Sequence, residues 1–233
     1  MSAARTARER ARAELVGEIK QVARRQLAEH GAAALSVRAV SRELGMVSSA
    51  IYRYFPSRDQ LLTALIIDAY DAAGAAAEAA AAKRRRGDFT GRWLATARAV
   101  RRWALAHPQE YALIYGSPIP GYVAPEETIG PASRVGVVLV GVLTDALEAG
   151  ELRPPSPAAR IPRALGKDVH RLREDLMPGV PDELVLRAIF AWTHLYGTLS
   201  FELFGHYHNV IDARDAAFDH TMLTLAALVG LAT

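Results

Sequence analysis

One stretch of this sequence, SVRAVSRELGMVSSAIYRYFPSRDQLL at positions 36–62, constrains the fold more than any other. Ser36 can cap a short helix with its hydroxyl, and Gly45 can adopt the left-handed conformation at which that helix must end. Pro56 ends the next short helix, and a capping box at 57–60 begins a longer one. The pattern therefore predicts two short helices joined by a tight glycine turn, followed by the start of a third helix.

The second short helix has an unusual outward face for a globular protein. Ser48 or Ser49 can cap it, because the side chain of Val47 has no hydrogen-bond acceptor. Ile51 and Phe55 form its apolar side, so the two tyrosines and the arginine between them face outward. An exposed set of this kind on so short a helix predicts a binding partner.

Two helices joined by a glycine turn, the second small and polar outward, form the helix-turn-helix design that enters the DNA major groove. The segment LGMVSSAIYRYFPSRDQLL resembles the DNA-binding signature of TetR-family transcriptional regulators. Val47 stands where the family often has Ser or Thr, and Tyr54 stands where it often has His. The resemblance implies an all-α fold, in which an N-terminal three-helix helix-turn-helix domain is followed by a helical ligand-binding and dimerisation domain. It also implies a homodimer, in this family mostly a repressor, that binds a palindromic operator in double-stranded DNA and is released by a small-molecule ligand.

The resemblance places eight DNA-contact positions in this region. Arg38 or Arg53 could read a guanine edge with two hydrogen bonds, whereas the serines and tyrosines are better suited to phosphates. Arg58 lies at the start of the third helix, where free backbone N–H groups and the helix dipole favour a phosphate. The predicted DNA-contact residues are Arg38, Ser48, Ser49, Ala50, Tyr52, Arg53, Tyr54 and Arg58.

The charge of the chain is unevenly distributed. Residues 1–60 hold 11 Lys+Arg against 6 Asp+Glu, whereas residues 111–233 hold 9 against 14. A basic front and an acidic rear suit DNA contact at one end only. Several arginines precede or begin the first apolar stripe, and they could form either a flexible arm along the DNA or a solvated tail. These arginines are Arg5, Arg8, Arg10 and Arg12.

Caps and helical periodicity divide the chain into three predicted parts. They are a helix-turn-helix domain at 1–56, a connecting helix at 57–86 and a C-terminal domain at 87–233. The middle of the connecting helix is rich in alanine and has few large side chains, so we expect it to slide or pivot against its neighbours. The basic run at 83–86 is interpreted as a helix end in solvent rather than a second nucleic-acid site.

Composition and motifs exclude several classes of function. The sequence has no cysteine, which excludes disulfides, thiolate metal sites and cysteine nucleophiles. It has no Ser-His-Asp order, phosphate-binding glycine loop or dinucleotide fingerprint. The N-terminus does not resemble a signal peptide, and no run approaches the roughly 18 uninterrupted apolar residues of a membrane span. We therefore expect a cytoplasmic protein with no cofactor and no membrane partner.

The helix that begins after Pro181 is apolar on almost every side, which predicts burial by a second subunit as well as by its own core. Together with the last helix, two copies would form a four-helix seam. The segment WTHLYG at 192–197 also resembles a Trp-x-His-x-x-Gly signature in the C-terminal domain of one TetR subgroup. The predicted dimer-interface residues are Leu195, Leu199, Phe218, Met222 and Leu225.

Large and partly polar side chains in the C-terminal part are typical of an apolar ligand pocket with a few polar contacts. Each of them alone is more often a core residue, so the prediction concerns the whole set. The predicted ligand-binding residues are Trp103, Tyr111, Tyr115, Tyr122, Trp192, His194 and Tyr196.

The alternative to a regulator is a helical metal-binding protein or enzyme. Glu202 and His206 are four residues apart and would share a helix face if the helix continued past Gly205. With His208 they could supply the three protein ligands that a hydrolytic zinc site needs. Chance explains this cluster more simply, so we expect no metal and no catalytic residues.

Overall fold

The computed structural model describes residues 2–153 and 160–232, with side chains from residue 7 onward. Every regular element in these ranges is helical, which confirms the predicted all-α fold. The α-helices are α1 (Ser2–His30), α2 (Val37–Glu43), α3 (Ser48–Ile51), α4 (Arg58–Ala82), α5 (Phe89–Ala106), α6 (Pro108–Tyr115), α7 (Ile129–Glu148), α8 (Gly166–Leu176), α9 (Asp182–Leu203) and α10 (Arg214–Leu228).

The chain forms two compact units, of which the first comprises Met1–Tyr70 with Gln109–Ile129. Its core is one apolar cluster to which each of α1 to α4 contributes. Ile19 of α1, Ile51 of α3 and Leu61 of α4 are fully buried in this cluster. Burial of each such side chain contributes about 1.5–3 kcal/mol, so these contacts hold α3 on the body of the unit.

The second unit comprises Asp71–Pro108 with Gly130–Thr233. Helix α5 packs against α9 and α10, and α8 packs against α9. The buried Trp93 indole N–H donates to the carbonyl oxygen of Met222 at 3.0 Å, which ties α5 to α10. These helices form a core separate from that of the first unit.

The two units divide the chain differently from the predicted boundaries at 56 and 86. Helix α4 is continuous, but its first half carries the bulky Leu61, Leu62 and Leu65, which are buried in the cluster of the first unit. The first unit therefore extends to residue 70 and also takes in most of α6.

The alanine-rich half of α4 is held by a close contact with α7. A Cβ atom on Gly74 would lie 2.7 Å from the Arg134 Cβ, so glycine allows α7 to approach here. The Arg134 guanidinium donates to both carboxylate oxygens of Glu78 at 2.8 and 2.7 Å, and to Asp71 Oδ1 at 2.6 Å. These hydrogen bonds lower the pKa of Glu78. This half of α4 is therefore held by its buried alanines, Ala73, Ala77 and Ala81, together with the hydrogen bonds from Arg134.

One segment of the described chain, Glu126–Glu148, is long and apolar enough to cross a bilayer by length and composition alone. This segment contains no uninterrupted apolar run, which is why no membrane span is predicted from the sequence. Its Leu139, Val142 and Leu143 are buried in the protein, and its Asp145 accepts a hydrogen bond from Arg92 at 2.6 Å. A core helix of a folded protein meets the same criterion, so the segment is weak evidence for a membrane span.

The residues predicted to form a dimer interface are buried within a single protomer. Their exposed fractions run from 0% for Leu199 to 4% for Leu225. The prediction of Leu195, Leu199, Phe218, Met222 and Leu225 as interface residues therefore needs correction, because these side chains form the packing of α9 and α10 in their own unit. A different set of residues on α9 and at its C-cap faces outward, and we name it the outward stripe: Phe190, His194, Gly197, Phe201 and Phe204.

Candidate nucleic-acid interface

Helix α2 begins and ends as its sequence predicts. The Ser36 hydroxyl accepts a hydrogen bond from the Ala39 backbone N–H at 3.4 Å. At the other end Gly45 has a φ of 65°, which only glycine adopts at low cost, and its N–H donates to the Arg42 carbonyl. This turn leads the chain directly into α3.

Helix α3 begins differently from the prediction. Val47, rather than either serine, occupies the N-cap position, and no side chain caps the helix. The Ser48 hydroxyl instead lies 3.4 Å from the hydroxyl of Ser41, which is fully buried in α2. Ser48 is the first residue of α3 rather than its cap, so the predicted cap at Ser48 or Ser49 is wrong.

Helix α3 ends at Ile51, and a turn continues the chain to Phe55. The buried side of this stretch agrees with the periodicity of the sequence, whereas Tyr54, which was expected to face outward, is half-buried. Ile51 is 0% exposed and Phe55 is 7% exposed, and both pack in the apolar cluster of the first unit. Ala50 and Tyr54 are half-buried at the edge of this face. The exposed members of the predicted DNA-contact set are Arg38, Ser48, Ser49, Tyr52 and Arg53.

The exposed face carries positive charge that the described part of the chain does not neutralise. Neither Arg38 nor Arg53 forms an ion pair with any described residue. The carboxylate of Glu43, at the end of α2, is held by Arg25, whose Nη2 lies 2.8 Å away. Hydrogen bonds from Arg25 and Gln26 lower the pKa of Glu43. Because Glu43 has its own partners, both arginines remain available to an anionic ligand.

Arg58 has a different environment from the one predicted for a phosphate ligand. Its Nε donates to the Leu35 carbonyl at 3.2 Å, and its Nη2 donates to the Ala32 carbonyl at 2.9 Å. These bonds satisfy carbonyl groups in the segment between α1 and α2, while Ser57 caps α4 by accepting from the Gln60 N–H at 3.1 Å. The contacts of Arg58 therefore support a structural role, in which it joins the start of α4 to the segment before α2, rather than a phosphate contact.

Two arginines that the sequence analysis did not assign to the site lie beside it. The Arg12 guanidinium carbon lies 5.1 Å from the centre of the Tyr54 ring, which is a cation–π contact. Arg42 is exposed at the end of α2. Helix α1 begins at Ser2, so the predicted N-terminal arm is helical here, and the side chain of Arg5 lies outside the described residues.

Three of the predicted ligand-binding residues lie in the first unit. Tyr111 is fully buried, and its ring centre lies 5.1 Å from that of Tyr115. The Tyr115 ring also makes an edge contact with Tyr70 at 5.9 Å. The Tyr122 and Thr63 hydroxyls lie 2.9 Å apart. These tyrosines therefore join α4 to α6 and the segment after it.

The other four predicted ligand-binding residues lie in the second unit. Trp103 is buried in α5, where its ring stacks on that of His107. Tyr196 is buried in α9 and makes an edge contact with Trp192, whereas Trp192 and His194 are exposed. The predicted set is thus divided between two compact units. Tyr111 pairs with Tyr115 and Trp192 with Tyr196, whereas the other three members contact residues outside the set.

The metal-binding alternative loses its ligand set. Glu202 is buried, and its two carboxylate oxygens accept hydrogen bonds from Arg101 at 2.8 and 2.7 Å. Helix α9 ends at Leu203, and Gly205 has a φ of 82°, so the helix does not continue to His206. Among the described residues, no group of three His, Cys, Asp or Glu side chains could hold a metal ion.

Comparisons with known proteins identify both parts of the chain. Residues 19–65 match the family model described as bacterial regulatory proteins, tetR family. Residues 93–225 match the model described as tetracyclin repressor-like, C-terminal domain. The chain is 41% identical over 203 residues to the HTH-type transcriptional regulator Rv1816 of Mycobacterium tuberculosis, and the match covers 84% of each chain.

Solved structures show the same fold over nearly the whole chain. The regulatory protein SCO4313 is 35% identical, with a TM-score of 0.74 over 93% of this chain and 97% of that chain. The TetR family transcriptional regulator PfmR from Thermus thermophilus is 18% identical, with a TM-score of 0.56 over 92% of this chain and 99% of that chain, and shows the fold alone. The resemblance drawn from the α2–α3 segment is therefore confirmed: the chain belongs to the TetR family and is a helix-turn-helix DNA-binding transcriptional regulator, not an enzyme.

Proposed function

We propose that this regulator is a cytoplasmic homodimer that represses transcription from a palindromic operator and is released from the DNA by a small molecule. Repression and ligand release are typical of the family. The observation that carries the DNA part is the exposed face of α2 and α3, where Arg38 and Arg53 have no ion-pair partner among the described residues.

The contacts on this face divide into two kinds. Arg38 and Arg53 are long enough and free enough to place a planar guanidinium on a guanine edge, where two hydrogen bonds give sequence discrimination. Ser48, Ser49 and Tyr52 carry exposed hydroxyl groups, which suit phosphate oxygens and fix the position of the helix. Two copies of α3 in a homodimer would enter successive major grooves about 34–36 Å apart.

The outward stripe of α9 is the surface that we propose for the dimer. Phe190 and Phe201 of α9 and Phe204 at its C-cap are 46–52% exposed, although a protein seldom leaves three neighbouring phenylalanines in water. The adjoining face of α10 is exposed and consists mostly of small side chains, which would allow two helix pairs to approach closely. The exposed residues of this α10 face are Ala216, His220, Thr224 and Ala227.

The ligand part of the proposal is supported by one polar atom in the second unit. The Trp103 indole N–H is buried and has no hydrogen-bond acceptor in the described part of the chain. A buried donor without a partner costs about 1–3 kcal/mol, and an acceptor on a bound molecule would remove that cost. We therefore propose that the effector presents a hydrogen-bond acceptor to Trp103.

Fluorescence anisotropy tests the proposal that this protein binds an operator. Labelled duplexes from the intergenic region upstream of its own gene are titrated with the protein at a series of salt concentrations. We expect tight binding of two protomers per palindrome, with an affinity that falls steeply as salt rises. Arg53→Ala and Tyr52→Ala should weaken binding by roughly tenfold or more, since a base or phosphate contact is worth about 1–3 kcal/mol.

The matched control is Arg163→Ala, which removes one exposed positive charge in the second unit. If Arg163→Ala weakened binding as much as Arg53→Ala, net charge alone would explain the effect. Equal affinity for operator and unrelated DNA would contradict sequence-specific reading by α3.

A further inference from the structure

A groove on the second unit lies between the C-terminal half of α4 and helix α5. Its volume is about 600 Å³, within the range of small-molecule sites. The floor consists of alanine side chains from both helices, including Ala80 and Ala95. Trp103, the residue proposed to meet the effector, is not among the lining residues, so this groove is a second and separate feature.

Four basic side chains line the groove: Lys83, Arg84, Arg98 and Arg102. Arg98 is neutralised, because its guanidinium donates to both carboxylate oxygens of Asp219 at 2.7 and 2.5 Å. Lys83, Arg84 and Arg102 form no ion pair with any residue in the described ranges. The groove therefore has an excess of three positive charges.

The basic run at 83–86 is exposed just after the end of α4, as expected from the sequence, and its side chains have different neighbours. Arg86 pairs with Asp145 at 2.9 Å, whereas Lys83 and Arg84 line the groove. Three cations in one concave site repel one another and attract an anion, an effect that desolvation by a bound ligand strengthens.

We propose that this groove binds a soluble organic phosphate whose short aliphatic part lies on the alanine floor. A doubly charged phosphate head matches the three cations and offers several oxygens for charged hydrogen bonds. The alanine side chains give the groove an apolar surface beside its cations, which suits a short aliphatic chain better than a second charged group. A DNA backbone fits less well, because its phosphates follow a line along the duplex and bring no aliphatic surface to the floor.

Isothermal titration calorimetry with three probes tests this proposal on the full chain. Hexyl phosphate carries both features of the ligand, inorganic phosphate carries the charge alone, and hexanol carries the aliphatic chain alone. We expect one hexyl phosphate per protomer, with at least tenfold weaker binding of each of the other two probes.

Variants locate the binding site. The double variant Lys83→Gln, Arg102→Gln should weaken hexyl phosphate binding at least tenfold, and Ala80→Leu should weaken it by filling the floor. The control is Arg163→Gln, which removes an exposed cation outside the groove and should leave the affinity unchanged within about twofold. Far-UV circular dichroism and the urea midpoint show whether each variant remains folded.

Three results would overturn the proposal. The first is unchanged hexyl phosphate binding in the double variant. The second is equal binding of inorganic and hexyl phosphate, which would mean that the alanine floor is not used. The third is that wild type does not bind free hexyl phosphate, while the double variant loses affinity for the operator or for phosphatidylglycerol vesicles. That result would assign the cations to a macromolecular surface.

Discussion

The buried ion pair between Arg101 and Glu202 offers the sharpest test of how the second unit is held together. The Glu202 side chain is 5% exposed and that of Arg101 is 13% exposed. Arg101 also pairs with the exposed Asp215 at 2.6 Å and lies over the Phe218 ring at 5.1 Å. One guanidinium thus joins α5 to α9 and α10.

Replacing Arg101 by methionine keeps most of the side-chain volume but leaves the Glu202 carboxylate buried without its cation. Removal of one partner from a buried pair costs about 3–5 kcal/mol, and we expect about 3 kcal/mol because Asp215 shows that water reaches one side of the pair. At roughly 2–4 °C per kcal/mol for a chain of this size, the Tm should fall by about 6–12 °C.

The double variant Arg101→Met, Glu202→Leu separates the effect of the buried charge from the effect of side-chain packing. Replacement of both charges by apolar groups is often neutral, so it should recover about 2 kcal/mol or more of the loss. Urea unfolding followed by tryptophan fluorescence is the assay, because Trp93, Trp103 and Trp192 all lie in the second unit. A double variant less stable than Arg101→Met would refute the reasoning, since the buried charge could not then be the source of the loss.

Three further predictions use the same unit. Gly74→Ala should destabilise the second unit by about 1–2 kcal/mol in urea unfolding, because the new Cβ would lie 2.7 Å from the Arg134 Cβ. The control is Gly141→Ala on α7, whose new Cβ meets no atom within 4 Å and should be neutral or stabilising. The Arg98 hydrogen bonds lower the pKa of Asp219, so they stabilise the fold above the ordinary pKa of 3.8, and this stability is lost as the pH falls through the lowered value. Asp219→Asn should therefore show a smaller loss of stability than wild type over the same acid range, and an equal loss would contradict this role. Phe201→Glu in the outward stripe should give a folded protein that sediments as a monomer in analytical ultracentrifugation. The control Leu199→Ala in the core should lose about 2–5 kcal/mol of stability but remain dimeric when folded.

The features that the sequence predicted well depend on neighbours along the chain. The Ser36 cap, the Gly45 turn and the Ser57 cap each involve residues within four positions, so the local pattern determines them. The start of α3 was predicted wrongly because Val47 takes the N-cap position in an extended backbone conformation, without a hydrogen bond from its side chain. A helix start that uses no capping side chain leaves no local pattern in the sequence.

Predictions that depended on packing partners failed for a related reason. The periodicity of α9 indicates that most of its faces are apolar, but it does not say which face meets the protomer's own core. Leu195 and Leu199 pack inside the unit, and the outward stripe was recognisable only from the exposure of Phe190 and Phe201. Likewise Arg58 is a cation at a helix start, and only the fold brings the carbonyl groups that hold it.

Helix α4 shows how one sequence can serve two packing environments. Its first half has leucines at 61, 62 and 65, which fill the core beneath α3 and so set the position of the DNA-facing residues. Its second half has Gly74 and buried alanines, which let α7 approach so closely that Arg134 reaches Asp71 and Glu78. The low bulk of this half is the condition for the ionic contact between α4 and α7. A change that breaks the Arg134 hydrogen bonds should therefore loosen that contact, while the buried Ala73 and Ala77 and the leucines of the first half still hold the helix.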